Sequence, residues 1–143
     1  MAKILLVEDD PFLTTMYKTR FEKEGHEVMV ASDGETALAT LKATPPQLVV
    51  LDVMLPKIGG FAILEEMQKS DSLKKIPVVV LSNLGSTEAM EKAKAFGVKE
   101  FLVKAKNTPT QILETIKKYL PAQTQSANVP PNANLTANGK PQN

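Results

Sequence analysis

Cysteine is absent from this 143-residue chain, so it can build neither a disulfide framework nor a thiolate metal site. That absence fits a reducing compartment. Long apolar runs are missing as well, and none approaches the roughly 20 residues of a membrane-spanning helix. Nor is there a signal-peptide pattern: Met1-Ala2-Lys3 leads into Ile4–Val7 and then at once into Glu8-Asp9-Asp10. The expectation is a cytoplasmic protein with no membrane contact. An excess of one charge is also lacking. Seventeen basic residues face sixteen acidic ones, for a net charge of +1. Such a balance supplies no field that draws the chain to nucleic acid or to a lipid surface. No glycine-rich loop follows the first apolar run, which argues against a dinucleotide site. The single histidine, His26, stands between Gly25 and a strand-like segment and is expected at the surface.

What is present points to one domain, since a typical domain runs to roughly 100–150 residues. Four short apolar runs, Ile4–Val7, Leu48–Leu51, Val78–Leu81 and Phe101–Val103, read as strands buried on both faces. Val28–Ala31 is a fifth, more mixed run. Between them, apolar residues recur at helical spacing: Leu13, Met16, Tyr17 and Phe21; Ala37, Leu38 and Leu41; Leu64 and Met67; Ala89, Ala93 and Phe96; Ile112, Leu113, Ile116 and Leu120. Met16, Met67 and Met90 are expected in or near the core. Asp10-Pro11 and Thr108-Pro109 each place a capping residue before a proline suited to the first helical position. Ser32-Asp-Gly-Glu35 reads as a capping box, and Gly25 and Gly97 as helix ends. Strand and helix alternate five times, which predicts a doubly wound α/β fold with helices on both faces. Periodicity leaves the strand order open. Residues 1–121 form the expected domain. Residues 122–143, rich in Asn, Gln, Pro, Ala and Thr, have too little apolar surface to offset their ordering entropy and are expected to be a disordered tail.

In an open α/β sheet, ligands bind beyond the carboxyl ends of the strands. The residues placed there are Glu8-Asp9-Asp10, Asp52, Ser82 and Lys104. Taken singly, each has an ordinary reading: acidic residues cap helices, Asp and Ser begin turns, and lysines sit in water. Together they gather carboxylates, a hydroxyl and an ammonium on one edge. Crowded carboxylates repel one another, and a hard divalent cation such as magnesium relieves that repulsion. The lysine offers a point charge, and the serine a hydrogen bond, to phosphoryl oxygens. This set suits in-line phosphoryl transfer to a carboxylate.

From Lys3 to about Leu120 the chain resembles a response-regulator receiver domain of two-component systems. The matching motifs are Val7-Glu8-Asp9-Asp10, Leu51-Asp52-Val53-Met54-Leu55-Pro56 with Gly59-Gly60, Leu81-Ser82, and Phe101-Leu102-Val103-Lys104. The resemblance implies a flavodoxin-like, five-stranded parallel sheet in order 2-1-3-4-5 with five helices. It implies Asp52 as phosphoacceptor, Asp9 as direct ligand of Mg2+ (or Mn2+) with Glu8 as its partner, and the Met54 backbone carbonyl as a further ligand. It makes Asp10 the cap of the first helix. Ser82 would meet a phosphoryl oxygen, Lys104 would counter its charge, and Phe101 would be the aromatic whose rotamer follows activation. Two positions depart from the family pattern. Ala105 stands where a proline joined by a cis bond is usual, and Asn83 stands where a small residue is usual. A cis bond before a non-proline residue costs about 2.5–4 kcal/mol, so either a trans, shifted loop or a strained one is expected after Lys104.

The function implied is a signalling switch. A histidine kinase or phosphotransfer protein donates the phosphoryl group, and the receiver catalyses only its own phosphorylation and dephosphorylation. With no output domain after it, the chain would act on a downstream protein by direct contact, as a monomer or a phosphorylation-dependent dimer and without touching nucleic acid. The alternative is a receiver-fold interaction module that is not phosphorylated, suggested by Ala105 and Asn83. A phosphatase with an aspartyl nucleophile fits less well, because Met54 stands where its second Asp would be.

Overall fold

Short runs of Val, Ile and Leu fold as strands when both of their faces can be covered, because side chains alternate across a sheet. In the computed structural model, which describes residues 2–55, 59–83 and 85–120, the five runs do this. They are β1 (Lys3–Val7), β2 (Glu27–Ala31), β3 (Leu48–Leu51), β4 (Val78–Ser82) and β5 (Glu100–Val103). Between and after them lie α1 (Pro11–Lys23), α2 (Gly34–Ala43), α3 (Gly60–Gln68), α4 (Thr87–Ala95) and α5 (Pro109–Lys117). Every strand pair is parallel, in the order β2-β1-β3-β4-β5. Alternation along the strands makes two cores. Ile4, Leu6, Val50, Val79 and Leu81 pack with Tyr17 and Phe21 of α1 and with Ile112, Leu113 and Ile116 of α5. Leu5, Val7, Val49, Leu51 and Val78 pack with Ala37 and Leu41 of α2 and with Ile63, Leu64 and Met67 of α3. Val80, on the same side as Val78, meets Ala93 of α4. Two helices therefore cover one face and three the other.

The predicted punctuation mostly holds. Asp10 and Thr108 cap α1 and α5 ahead of their prolines, and Thr108 forms a reciprocal capping box with Gln111. Gly25 and Gly97 end α1 and α4 at φ +92° and +83°, where a side chain would be strained. Three local expectations are corrected. The cap of α2 is Asp33, whose carboxylate accepts from Thr36 N–H at 2.8 Å, so Ser32-Asp-Gly-Glu35 is not a capping box. An aspartate there also answers the positive end of the helix dipole. His26 is buried, 7% exposed, because its ring folds back over the start of β1 and its Nδ1 accepts from Ala2 N–H at 3.3 Å. Leu120 lies beyond the end of α5, yet still packs on the α1/α5 core. Two 3₁₀ turns, Leu73–Lys75 and Lys104–Lys106, had no signature in the periodicity. Among the described residues no peptide bond is cis, so the bond from Lys104 to Ala105 is trans. The predicted tail and Pro56 lie outside the described residues.

Candidate functional site

The parallel ladder continues one step past the strand ends and sets the site's backbone. Glu8 N–H donates to the Ala31 carbonyl and Asp52 N–H to the Val7 carbonyl, both at 3.0 Å. Ser82 pairs with Val103, so Lys104 emerges one residue beyond. Asp10 belongs to the helix rather than to the acidic cluster: its Oδ1 accepts from Phe12 N–H at 2.9 Å and Leu13 N–H at 3.2 Å. Gly60 is required beneath the site. A Cβ there would strike the Val53 Cα and lie 2.8 Å from the Asp52 carbonyl oxygen.

Asp52, only 6% exposed, is held at both oxygens. Its Oδ1 accepts from Ser82 Oγ at 2.8 Å and from Met54 N–H at 2.9 Å. Its Oδ2 accepts from Lys104 Nζ at 3.0 Å. The same ammonium donates to Glu8 Oε1 at 2.5 Å, while Glu8 Oε2 accepts from Asp10 N–H at 3.1 Å. Carboxylate oxygens of Glu8, Asp9 and Asp52 lie within 4.8 Å of one another. Glu8 and Asp52 are buried and Asp9 is exposed, at a mouth of about 280 Å³ that Met54 and Asn83 also line. Burial pushes the Glu8 carboxyl above the usual glutamate range, against the opposing pull of Lys104 and the Asp10 N–H. Burial pulls the Lys104 ammonium down, but its hydrogen bonds to Glu8 and Asp52 outweigh that and hold it above the usual lysine range.

The donor set fits a hard divalent cation: three carboxylates converge and all ligand atoms are oxygen. Lys104 now satisfies oxygens of two of them, so a cation would share those carboxylates with the ammonium. Met54 lines the mouth, and its amide N–H donates to Asp52. Lys104 reaches the site despite Ala105, because the chain after it closes into a 3₁₀ turn that begins at Lys104 itself. Phe101 is not in the mouth. It is half-buried on β5, packs with Val53, Val80 and Ala93, and lines a separate cavity of about 300 Å³ with Met90 and Lys94. Sequence reasoning passed over Tyr17, taken only as a core residue of α1. Burial raises its phenol above the ordinary tyrosine range, with the Lys104 charge pulling it down and the Glu8 charge pushing it up. Only its i,i+4 relation to Leu13 would have suggested this position, because Leu13 lines the mouth.

Known proteins share this fold. The family described as response regulator receiver domain matches residues 4–117. The protein PilH of Pseudomonas aeruginosa is 31% identical over 122 residues, covering 84% of this chain and 98% of PilH. A probable transcriptional regulator, ycf27 of Cyanophora paradoxa, is 36% identical over 102 residues, 71% of this chain but only 41% of that protein. The chain thus spans well under half of that longer relative. Among solved structures, chemotaxis protein CheY4 of Vibrio cholerae superposes with a TM-score of 0.77 at 30% identity, covering 84% of this chain and 99% of its own. The Mn(2+)-bound form of response regulator Rcp1 gives 0.75 at 28% identity, covering 85% and 99%. With a family match over most of its length, the fold those structures share and the acidic edge described above, this chain belongs to the response regulator receiver domain family.

Proposed function

We propose that the chain is a phosphorylation-dependent switch of a two-component system, with Asp52 as phosphoacceptor. The observation that carries this reading is the Lys104 ammonium, brought from the end of β5 to 3.0 Å from Asp52 Oδ2 while Ser82 holds the other oxygen. A carboxylate so held is oriented before it reacts. An Asp52 oxygen attacks phosphorus, the bond from phosphorus to the donor's imidazole nitrogen breaks, and the electron pair leaves with that nitrogen. The product is an acyl phosphate. Lys104 and Ser82 then face the charge gathering on the phosphoryl oxygens, in a site sheltered enough for charge and dipole to count heavily. A bound Mg2+ (or Mn2+) supplies charge neutralisation for the transferring group. Asp9, Glu8 and Asp52, with the Met54 carbonyl, are the residues that would hold it, and the related Rcp1 has been seen in a Mn(2+)-bound form. Loss of the phosphoryl group reverses the charge change when water attacks phosphorus and the carboxylate leaves. Asn83 at the mouth faces that path.

The donor in this reading is a histidine kinase or phosphotransfer protein, and output is contact with a downstream protein, as a monomer or a dimer formed on phosphorylation. Phe101, away from the mouth, is the side chain proposed to report the phosphorylated state to the β5 face. A cytoplasmic setting is consistent with the lack of cysteine, and no helix among the described residues is long and apolar enough to cross a membrane. Residues 1–121 are proposed as the receiver and 122–143 as a tail. The test is intact-mass analysis after incubation with acetyl phosphate, with and without Mg2+. One Mg2+-dependent adduct in the wild type and none in Asp52→Asn is expected. A folded wild type that takes no adduct would overturn the reading in favour of an unphosphorylated interaction module.

A further inference from the structure

An ammonium has three hydrogens to donate. Lys104 gives one to Glu8 and one to Asp52, and among the described residues no acceptor is paired with the third. One turn below Leu13 on the same face of α1 lies Tyr17, 3% exposed, whose hydroxyl has no hydrogen-bond partner among the described residues. Buried hydroxyls usually have a partner, so this one is open to a group that can reach it. Tyr17 packs in one core with Leu6 and Leu102, which stand two residues before Glu8 and Lys104, and it follows the mouth-lining Leu13 by one helical turn. The phenol oxygen and the spare ammonium hydrogen thus belong to the same side of the sheet, and the charges of Lys104 and Glu8 act on that phenol.

Lys104 has a reason to need a second holder. Its shorter hydrogen bond is to Glu8, an acidic residue of the cluster that fits a divalent cation. A cation drawn to Glu8 would compete with the ammonium for that carboxylate, while Asp52 still needs the ammonium beside it. We propose that Tyr17 is a positioning residue for Lys104: its hydroxyl accepts the hydrogen bond that the ammonium loses when Glu8 turns to a metal ion. This rests on the phosphoacceptor reading for its use, but not for its test.

The chain has no tryptophan and two tyrosines, so in a Tyr119→Phe background Tyr17 is the sole phenol. With that protein labelled at the tyrosine ring, Mg2+ is titrated and the Cζ resonance followed by NMR. The expected result is a shift that saturates with Mg2+ and is lost when Lys104→Met is added. No shift, or the same shift without the lysine, would overturn the proposal. In a second experiment, Tyr17→Phe removes one oxygen and keeps the ring. With acetyl phosphate at saturating Mg2+, phosphorylation is expected to slow by about tenfold, the scale of one hydrogen bond to a charged group, with the urea midpoint unchanged. A variant phosphorylated at the wild-type rate would sink the proposal while leaving Asp52 as acceptor. A wild type that is never phosphorylated would sink the acceptor reading, and the Cζ titration would still decide the role of Tyr17.

Discussion

Replacing Lys104 by Met tests whether the ammonium is what allows buried carboxylates to stand together. The side chain of Lys104 is 10% exposed, those of Glu8 and Asp52 3% and 7%, so the pairs are shielded from water. Removing one partner of such a pair costs roughly 3–5 kcal/mol, because the other charge is left buried and alone. Two oxygens keep donors here: Glu8 Oε2 keeps Asp10 N–H, and Asp52 Oδ1 keeps Ser82 and Met54 N–H. The lower end, about 3 kcal/mol, is therefore expected. With a urea slope of about 1–3 kcal/mol per molar, the midpoint in chelator falls by about 1–3 M. Mg2+ should restore much of the loss, since a ligand at a hundred times its Kd adds about 2.7 kcal/mol, and the variant, lacking the competing ammonium, should bind it more tightly. Acid should narrow the gap too. Burial raises the folded Glu8 pKa above its unfolded value, so its stabilisation is full below the unfolded pKa and is lost as pH rises through the folded one. Without Lys104 that folded value rises further, so the deficit shrinks as pH falls toward the ordinary glutamate range. A variant within about 1 kcal/mol of wild type in chelator, or a deficit insensitive to Mg2+, would refute this account.

Two further outcomes are expected. Gly60→Ala should destabilise the fold by about 1–3 kcal/mol and slow labelling of Asp52, because the added methyl meets Val53 and Asp52 backbone rather than a yielding side chain; equal urea midpoints would show that α3 can shift freely. His26 is buried and its pKa is lowered by that burial, with the Glu24 carboxylate opposing and Lys117 adding to the effect. Its unfolded form binds a proton first, so stability is full above the unfolded histidine value and is lost as pH falls through the folded one. Urea unfolding across that range should show this slope in wild type and lose it in His26→Gln; a slope that persists would place its origin elsewhere.

Strand identity was legible because runs such as Leu48–Leu51 and Val78–Leu81 are apolar on both faces, a pattern that only a covered sheet accepts. The acidic edge was legible for a related reason: Glu8, Asp52 and Lys104 directly follow strands whose last residues are apolar, and Ser82 is the last residue of its own. Local capping was less legible. Ser32 and Asp33 are both good caps, and the choice between them depends on where α2 meets the sheet. His26 misled because burial depends on what folds over a residue, here the start of β1, and not on its neighbours in the chain. The sequence by itself determined the alternation of elements and the chemical types at their ends, since periodicity and strand-end position are properties of the local chain. The strand order, which periodicity left open, was implied by the family resemblance and is the order found. Only the tertiary structure decided that Lys104 bridges Glu8 and Asp52 across 96 and 52 residues, and that Tyr17 is buried in the α1/α5 core. Those are contacts between distant segments, chosen by how the two faces of the sheet are filled, and no local pattern carries that information.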